Sequence, residues 1–424
     1  MKPRLFPFLF LALLPMASLL AEGFPEIRMR EQPFFPIVGF EFLWHINERL
    51  VQEKAEMGLT LLTLHSAEEL DWCAAAGLKG IVYQPQLDRF LHSPSAPEMA
   101  TELQKAVDAV KGHPAFYGMQ YTDEPSKRVM EGYAKAYGIL KQSLGDALVY
   151  TCLFPSWATS VQHGYPDYEQ YLEEFCSLYA AHPGSVLCYD NYRNKDPRLP
   201  PRERLASYLD NLEIVRKISQ RHGMPFWTTV LCAAHDHFQD PTQADLDFEV
   251  FSSLAYGAKG IGYFTTSSHQ NNIFQGGPFT FLGDKTPIFW HLRDLNFRVR
   301  KLAPALTQLE STGCYYALLE SDKPFFQKFP SFRPLPGELV ETLQAEYGDC
   351  SFLVGEFRDK EGSRWLLVVN LNLETPAHFQ VTLRNGAKLQ HFNSYMGYLY
   401  PPQVQDTWLR PGQGKLYKVL PSAK

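Results

Sequence analysis

The chain has 424 residues, 45% of them hydrophobic, enough for one large barrel with an appendage or for two or three domains. Acids outnumber bases by 46 to 40 and no Lys/Arg-rich run is present, which excludes nucleic acid and anionic membrane surfaces as partners. The seven cysteines are widely spaced and never form a CxxC pair, so they read as small buried hydrophobes rather than zinc ligands; an oxidising compartment would permit a disulfide, but the sequence names no pair.

At the start, Lys2 and Arg4 precede an apolar run from Leu5 to Leu20, and Ala21 is a small residue ahead of Glu22-Gly23. This is the pattern of a secretory signal peptide over 1–21, which predicts a secreted or periplasmic protein free of the membrane after cleavage. Pro7 and Pro15 argue against a stable spanning helix.

Strand-like and amphipathic helical runs then alternate from about residue 36 to 306. The first strand is predicted at Pro36–Phe42, with a helix from Asn47 to Met57. The second is Leu59–His65, where Ser66 and Glu69 form a capping box for the next helix. Lys79–Gln84 is third, with a helix over about 97–111. The fourth begins at Phe116 and ends in Asp123-Glu124-Pro125, with a helix to about Leu144. Ala147–Leu153, Ser185–Asp190, Pro225–Cys232 and Lys259–Phe264 follow, with helices over about 168–181, 202–221, 243–256 and 287–302. Eight strand–helix units fit a (β/α)8 barrel, and the short continuous apolar strands suit a sheet buried on both faces. A doubly wound sheet would carry a glycine-rich phosphate turn early, and no GxGxxG follows the first strand.

After about residue 312 the helical period disappears. Runs at 339–345, 351–357, 364–370, 378–383 and 415–420 read as strands, separated by turns such as Arg384-Asn-Gly386 and Pro411-Gly-Gln-Gly414. The expected organisation is a barrel over 22–311 and a small antiparallel β-sandwich over 312–424.

Chemistry on a barrel of this kind sits at the carboxyl ends of the strands. Those positions hold Glu41 and His45; His65; Tyr83, Gln84 and Gln86; Tyr121, Asp123 and Glu124; Phe154 and Trp157; Tyr189, Asp190 and Tyr192; His235, Asp236 and His237; and Tyr263, Thr265 and His269. Acids, amides, histidines and aromatic rings suit a saccharide, whose hydroxyls need hydrogen bonds and whose apolar faces stack on flat rings. The predicted catalytic set is Glu124, Asp123 and Asp190. The predicted binding set is Glu41, His65, Tyr83, Gln84, Tyr121, Trp157, Tyr189, Tyr192, His235 and Tyr263. Asp123 has a structural alternative as the cap of the following helix, and Glu124 one as an ion-pair partner of Arg128. Two histidines at i and i+2 around one acid fit substrate contact better than a metal site, and neither metal nor cofactor is expected.

The run Tyr121-Thr-Asp-Glu-Pro125, followed more loosely by Tyr189-Asp190 and Gly257-Ala-Lys-Gly-Ile-Gly-Tyr263, resembles the clan A glycoside hydrolases and their β-galactosidase-like relatives. The resemblance covers residues 36 to about 420 at the level of architecture. It implies a glycoside, oligosaccharide or polysaccharide substrate and an acid/base glutamate after the fourth strand, here Glu124. Two features depart from it. That clan carries Asn before the acid/base where this chain has Asp123, and a nucleophilic glutamate ends its seventh strand, where Thr229 to His235 contains none. The adjacent Asp-Glu pair is also similar to substrate-assisted hexosaminidases, in which the Asp orients the sugar's 2-acetamido group and no protein nucleophile is needed. The missing glutamate leaves a second expectation open: a non-catalytic carbohydrate-binding protein on a degenerate barrel.

Overall fold

The computed structural model describes residues 34–41, 46–180, 182, 184–268 and 274–422. The expected signal peptide, His45 and His269 lie outside the described residues. Eight strands run parallel: β1 (Ile37–Gly39), β2 (Leu61–Leu64), β3 (Lys79–Tyr83), β4 (Phe116–Gln120), β5 (Leu148–Tyr150), β6 (Leu187–Asp190), β7 (Phe226–Leu231) and, after the two-residue β8 (Ala234–His235), β9 (Gly260–Phe264). Their order is β5-β4-β3-β2-β1-β9-β7-β6. The ring closes where Leu153, just past β5, bridges Tyr189 of β6 in parallel, its N–H donating to Cys188 O at 2.9 Å. This is the predicted barrel, and β7 is buried along its whole length, as a strand covered on both faces must be.

Helices follow the strands, and local chemistry sets their starts. Asn47 caps the helix Glu48–Glu56 by accepting from Leu50 N–H at 3.0 Å, and Asp167 caps Tyr168–Tyr179 by accepting from Gln170 N–H at 2.8 Å. Thr242 and Asp245 form a reciprocal capping box at the head of Gln243–Ala255. The box predicted at Ser66 and Glu69 does not form. That helix begins at Glu69 itself, and the Glu69 carboxylate reaches back to accept from His65 N–H at 2.7 Å. Asp123 is not a helix cap either: the helix Lys127–Leu144 starts behind Ser126, which frees the Asp123 side chain from that role.

β10 (Phe274–Gln275) pairs with β8 above the barrel. The rest of the chain is antiparallel. β11 (Glu310–Ala317), β13 (Phe352–Arg358), β14 (Arg364–Asn370), β19 (Gly414–Leu420), β16 (Lys388–Asn393) and β17 (Tyr398–Leu399) form a six-stranded sheet in that spatial order. β12 (Val340–Tyr347), β15 (Ala377–Leu383) and β18 (Trp408–Leu409) form a three-stranded one. Of these, β11, β16, β17 and β18 carry too little apolar alternation, or too few residues, to be read from sequence.

The six-stranded sheet is buried on both faces. Phe352, Val354, Leu366 and Val368 join Val340 and Phe379 in the core between the sheets. Leu353, Phe357, Leu367 and Val369 join the barrel core. The approach to the helix Gln243–Ala255 is close enough that a Cβ on Gly355 would stand 2.3 Å from Ala255 O. Beside this seam, Arg298 is fully buried and pairs with Asp247 at 2.6 Å, while Arg410 from the β-sandwich reaches the same carboxylate at 3.4 Å. All seven cysteines are buried and none is bonded to another.

Candidate active site

The chain leaves β4 at Gln120, which lines a cavity of about 480 Å³ at the carboxyl ends of the strands. Strand alternation turns Tyr121 away, and Asp123 and Glu124 come back to the cavity. Glu124 takes φ 43°, a left-handed conformation that is uncommon for a residue with this side chain. Its N–H donates to Cys152 O at 2.9 Å, tying the turn to the end of β5. Backbone strain of this kind costs on the order of 1 kcal/mol and persists where surrounding structure enforces it. Asp123 opens to the cavity, with the backbone N–H groups of Glu124 and Cys152 near its carboxyl.

Asp190 ends β6 beside these two acids. The Tyr192 hydroxyl stands near its carboxyl, while Oδ1 is buried and has no hydrogen-bond partner among the described residues. The three carboxyls sit in a space ringed by protein, and all hold their protons more tightly than usual. Burial, then the charges of Asp190 and Asp123, push Glu124 up to about 9. Burial and then Asp123 push Asp190 up to about 7. Burial pushes Asp123 up to about 6, against the pull of its two backbone donors. Protons in such a set belong to the group as a whole, and the environment favours Glu124 as the last to ionise.

Aromatic side chains build the wall. Tyr192 stacks on Phe264 at 5.6 Å and meets Phe238 edge-on at 5.7 Å. Trp157 lies 6.0 Å from Phe238 and donates from Nε1 to Asn191 Oδ1 at 3.2 Å. Asn191, fully buried, also bonds Asn211 at 3.2 Å, so the loops after β5 and β6 are fastened together behind the ring. His235 stacks on Phe274 at 4.7 Å, and burial pulls its pKa down, which keeps it neutral near pH 7. On the β1 side, Glu41 lines the cavity and pairs with buried Lys54, which also donates to Thr266 Oγ1 at 2.9 Å.

Of the residues named at strand ends from sequence, Glu41, Tyr83, Asp123, Glu124, Phe154, Trp157, Asp190, Tyr192, His235, Asp236 and His237 line this cavity. Tyr121, Tyr189 and Tyr263 do not. They occupy strand positions of the opposite parity and pack into the layer between strands and helices, where Tyr121 donates to Tyr133 O at 3.0 Å and Tyr263 to Asn296 Oδ1 at 2.6 Å. His65 and Gln84 also stand off the lining; His65 lies behind Tyr83, ring to ring at 6.0 Å, and Gln84 accepts from Gln86. Phe40, Gln120, Phe238 and Phe264 line the cavity without having been singled out. Gln120 shares the inward face with Tyr83, its partner in register across β3 and β4; Phe238 carries no sequence signal, because an irregular loop delivers it. No glutamate ends β7, where Thr229 lines the cavity and Cys232-Ala-Ala234 leads to His235; the first acid after that strand is Asp236, which also lines the cavity. Among the described residues, no group of three or more His, Cys, Asp or Glu is arranged to hold a metal ion.

No known family profile and no curated protein matches this chain. Solved structures do. The β-galactosidase from the psychrophilic Marinomonas ef1 superposes with TM-score 0.60 at 9% identity, over 90% of this chain and 100% of that one. A glycoside hydrolase family 5 protein from Bacteroides vulgatus ATCC 8482 superposes with TM-score 0.52 at 12% identity, over 92% of this chain and 90% of that one. At these identities the likeness is one of fold: a parallel barrel followed by antiparallel sheets.

Proposed function

We propose that this protein is a glycoside hydrolase in which Glu124 protonates the departing oxygen. One observation carries the reading: Glu124, Asp123 and Asp190 come together from the carboxyl ends of β4 and β6, on either side of β5, inside a cavity walled by Trp157, Tyr192, Phe238 and Phe264. A general acid must keep its proton near neutral pH, and the surroundings of Glu124 favour that state. Asp190, with Oδ1 unpartnered, is the candidate second carboxylate. It attacks the anomeric carbon if the two carboxyls stand roughly 5 Å apart, or activates water if they stand more than about 6.5 Å apart.

A second reading has its own support. No glutamate ends β7, and the Asp123 carboxyl enters the cavity directly beside that of Glu124. That pair suits a substrate-assisted reaction in which Asp123 orients a 2-acetamido group and the sugar supplies its own nucleophile.

The test is a panel of aryl glycosides, with and without 2-acetamido groups, assayed with wild type and Glu124→Gln. Removal of a general acid lowers kcat/KM by about 10²–10⁴-fold on substrates with poor leaving groups. Turnover confined to 2-acetamido sugars selects the second reading, and saccharide binding without turnover across the panel would leave a carbohydrate-binding protein instead. The same reading includes export after cleavage behind Ala21, which N-terminal sequencing of the mature protein checks.

A further inference from the structure

We infer that the cavity takes a sugar bearing positive charge, a free amine on the ring, in preference to a neutral or an anionic one. The inference rests on the hydrolase reading of the same cavity with Asp190 as second carboxylate. Five carboxyl groups line the space, Glu41, Asp123, Glu124, Asp190 and Asp236, of which Glu124 keeps its proton near neutral pH, and no lysine or arginine lines it among the described residues. Cations on the first helix and in the loop after β6 are already paired. Lys54 pairs with Glu41, Lys195 with Asp245 at 2.7 Å, and Arg193 and Arg198 with Asp196 at 3.0 and 2.8 Å. A uronate or sulfate would therefore bring a further negative charge into a space ringed by protein with nothing to pair it.

One atom points to a cation rather than to mere tolerance of neutral sugars: Asp190 Oδ1 is buried and unpartnered among the described residues, whereas the charge of Glu41 is already met by Lys54. A buried carboxylate oxygen with no donor is an uncommon arrangement, and an ammonium group satisfies it by charge and hydrogen bond together. The faces of Tyr192, Trp157 and Phe264 add the aromatic surroundings in which an ammonium is further stabilised.

Calorimetry on the full-chain Glu124→Gln protein tests this with 2-amino-2-deoxy glycosides of gluco and galacto configuration, their neutral parents, their N-acetylated forms and the matching uronides. The amine is expected to bind about tenfold or more tighter than its neutral parent in one configuration, with the uronide unbound. Raising salt to about 0.5 M should narrow that gap, and adding Asp190→Asn should remove most of it. A uronide that binds as well as the neutral parent, an amine no tighter than the parent, or an N-acetylated sugar bound tightest overturns the inference. The salt series uses the Asp190-containing protein, so the answer stands even if Asp190→Asn misfolds. Wild-type cleavage of neutral glycosides with no amine preference sinks this inference and leaves the hydrolase reading intact. An amine sugar bound tightly and never cleaved by the wild type does the reverse.

Discussion

Replacing Asp190 by Asn should make Glu124 a stronger acid, and the size of that change measures how the three carboxyls are coupled. Glu124 rises from an ordinary 4.5 to about 9, first through burial, then through the charge on Asp190, then through Asp123. Asparagine keeps the shape of Asp190 and removes the second of these causes. A like charge in a shared pocket shifts a carboxyl by on the order of one to two pH units, about 1.4–2.8 kcal/mol, less where cavity water screens it. The sign is fixed: a nearby negative charge disfavours ionisation, so its loss must move the Glu124 midpoint down. Carbon-13 NMR titration of labelled glutamate carboxyls, with Glu124→Gln identifying the resonance, reads this without relying on turnover. A midpoint that stays where it was, or rises, refutes the electrostatic picture and with it the case for Glu124 as a tuned acid.

Three further outcomes are expected. Because the Glu124 pKa is higher in the folded state than in the unfolded one, its protonation contributes stability that is full below about pH 4.5 and lost as pH rises through about 9. The Tm of Glu124→Gln relative to wild type should therefore improve between about pH 5 and pH 9.5, by on the order of 2 °C; a gap that is flat with pH contradicts this. Gly355→Ala should destabilise by about 1–3 kcal/mol in urea unfolding, because its methyl group meets Ala255 O rather than a side chain that can move aside. Asp247→Ala leaves the fully buried Arg298 without its closest partner, and a loss of about 3–5 kcal/mol is expected by the same assay; a loss under 1 kcal/mol would show that Asp294, at 3.0 Å from Arg298, suffices alone.

The alternation of short apolar strands with capped helices determined the barrel from sequence, because a parallel sheet buried on both faces leaves no other period to read. It also put Asp123, Glu124 and Asp190 at strand ends, where a barrel concentrates its chemistry. What sequence could not supply was parity. Tyr121, Tyr189 and Tyr263 stand one or two residues from cavity positions and look equally suited to a sugar, yet the pleat sends them into the helical layer. Nor could it supply company. Phe238 reaches the wall only through an irregular loop, and Trp157 is held to Asn191 across two loops whose approach depends on the closed ring. The raised pKa values belong to the tertiary structure in the same way, since no spacing in the chain announces that residues 124 and 190 share one pocket. Local patterning is a property of neighbours in sequence; facing direction at a strand end, and the field at a carboxyl, are set by groups that only the folded barrel brings together.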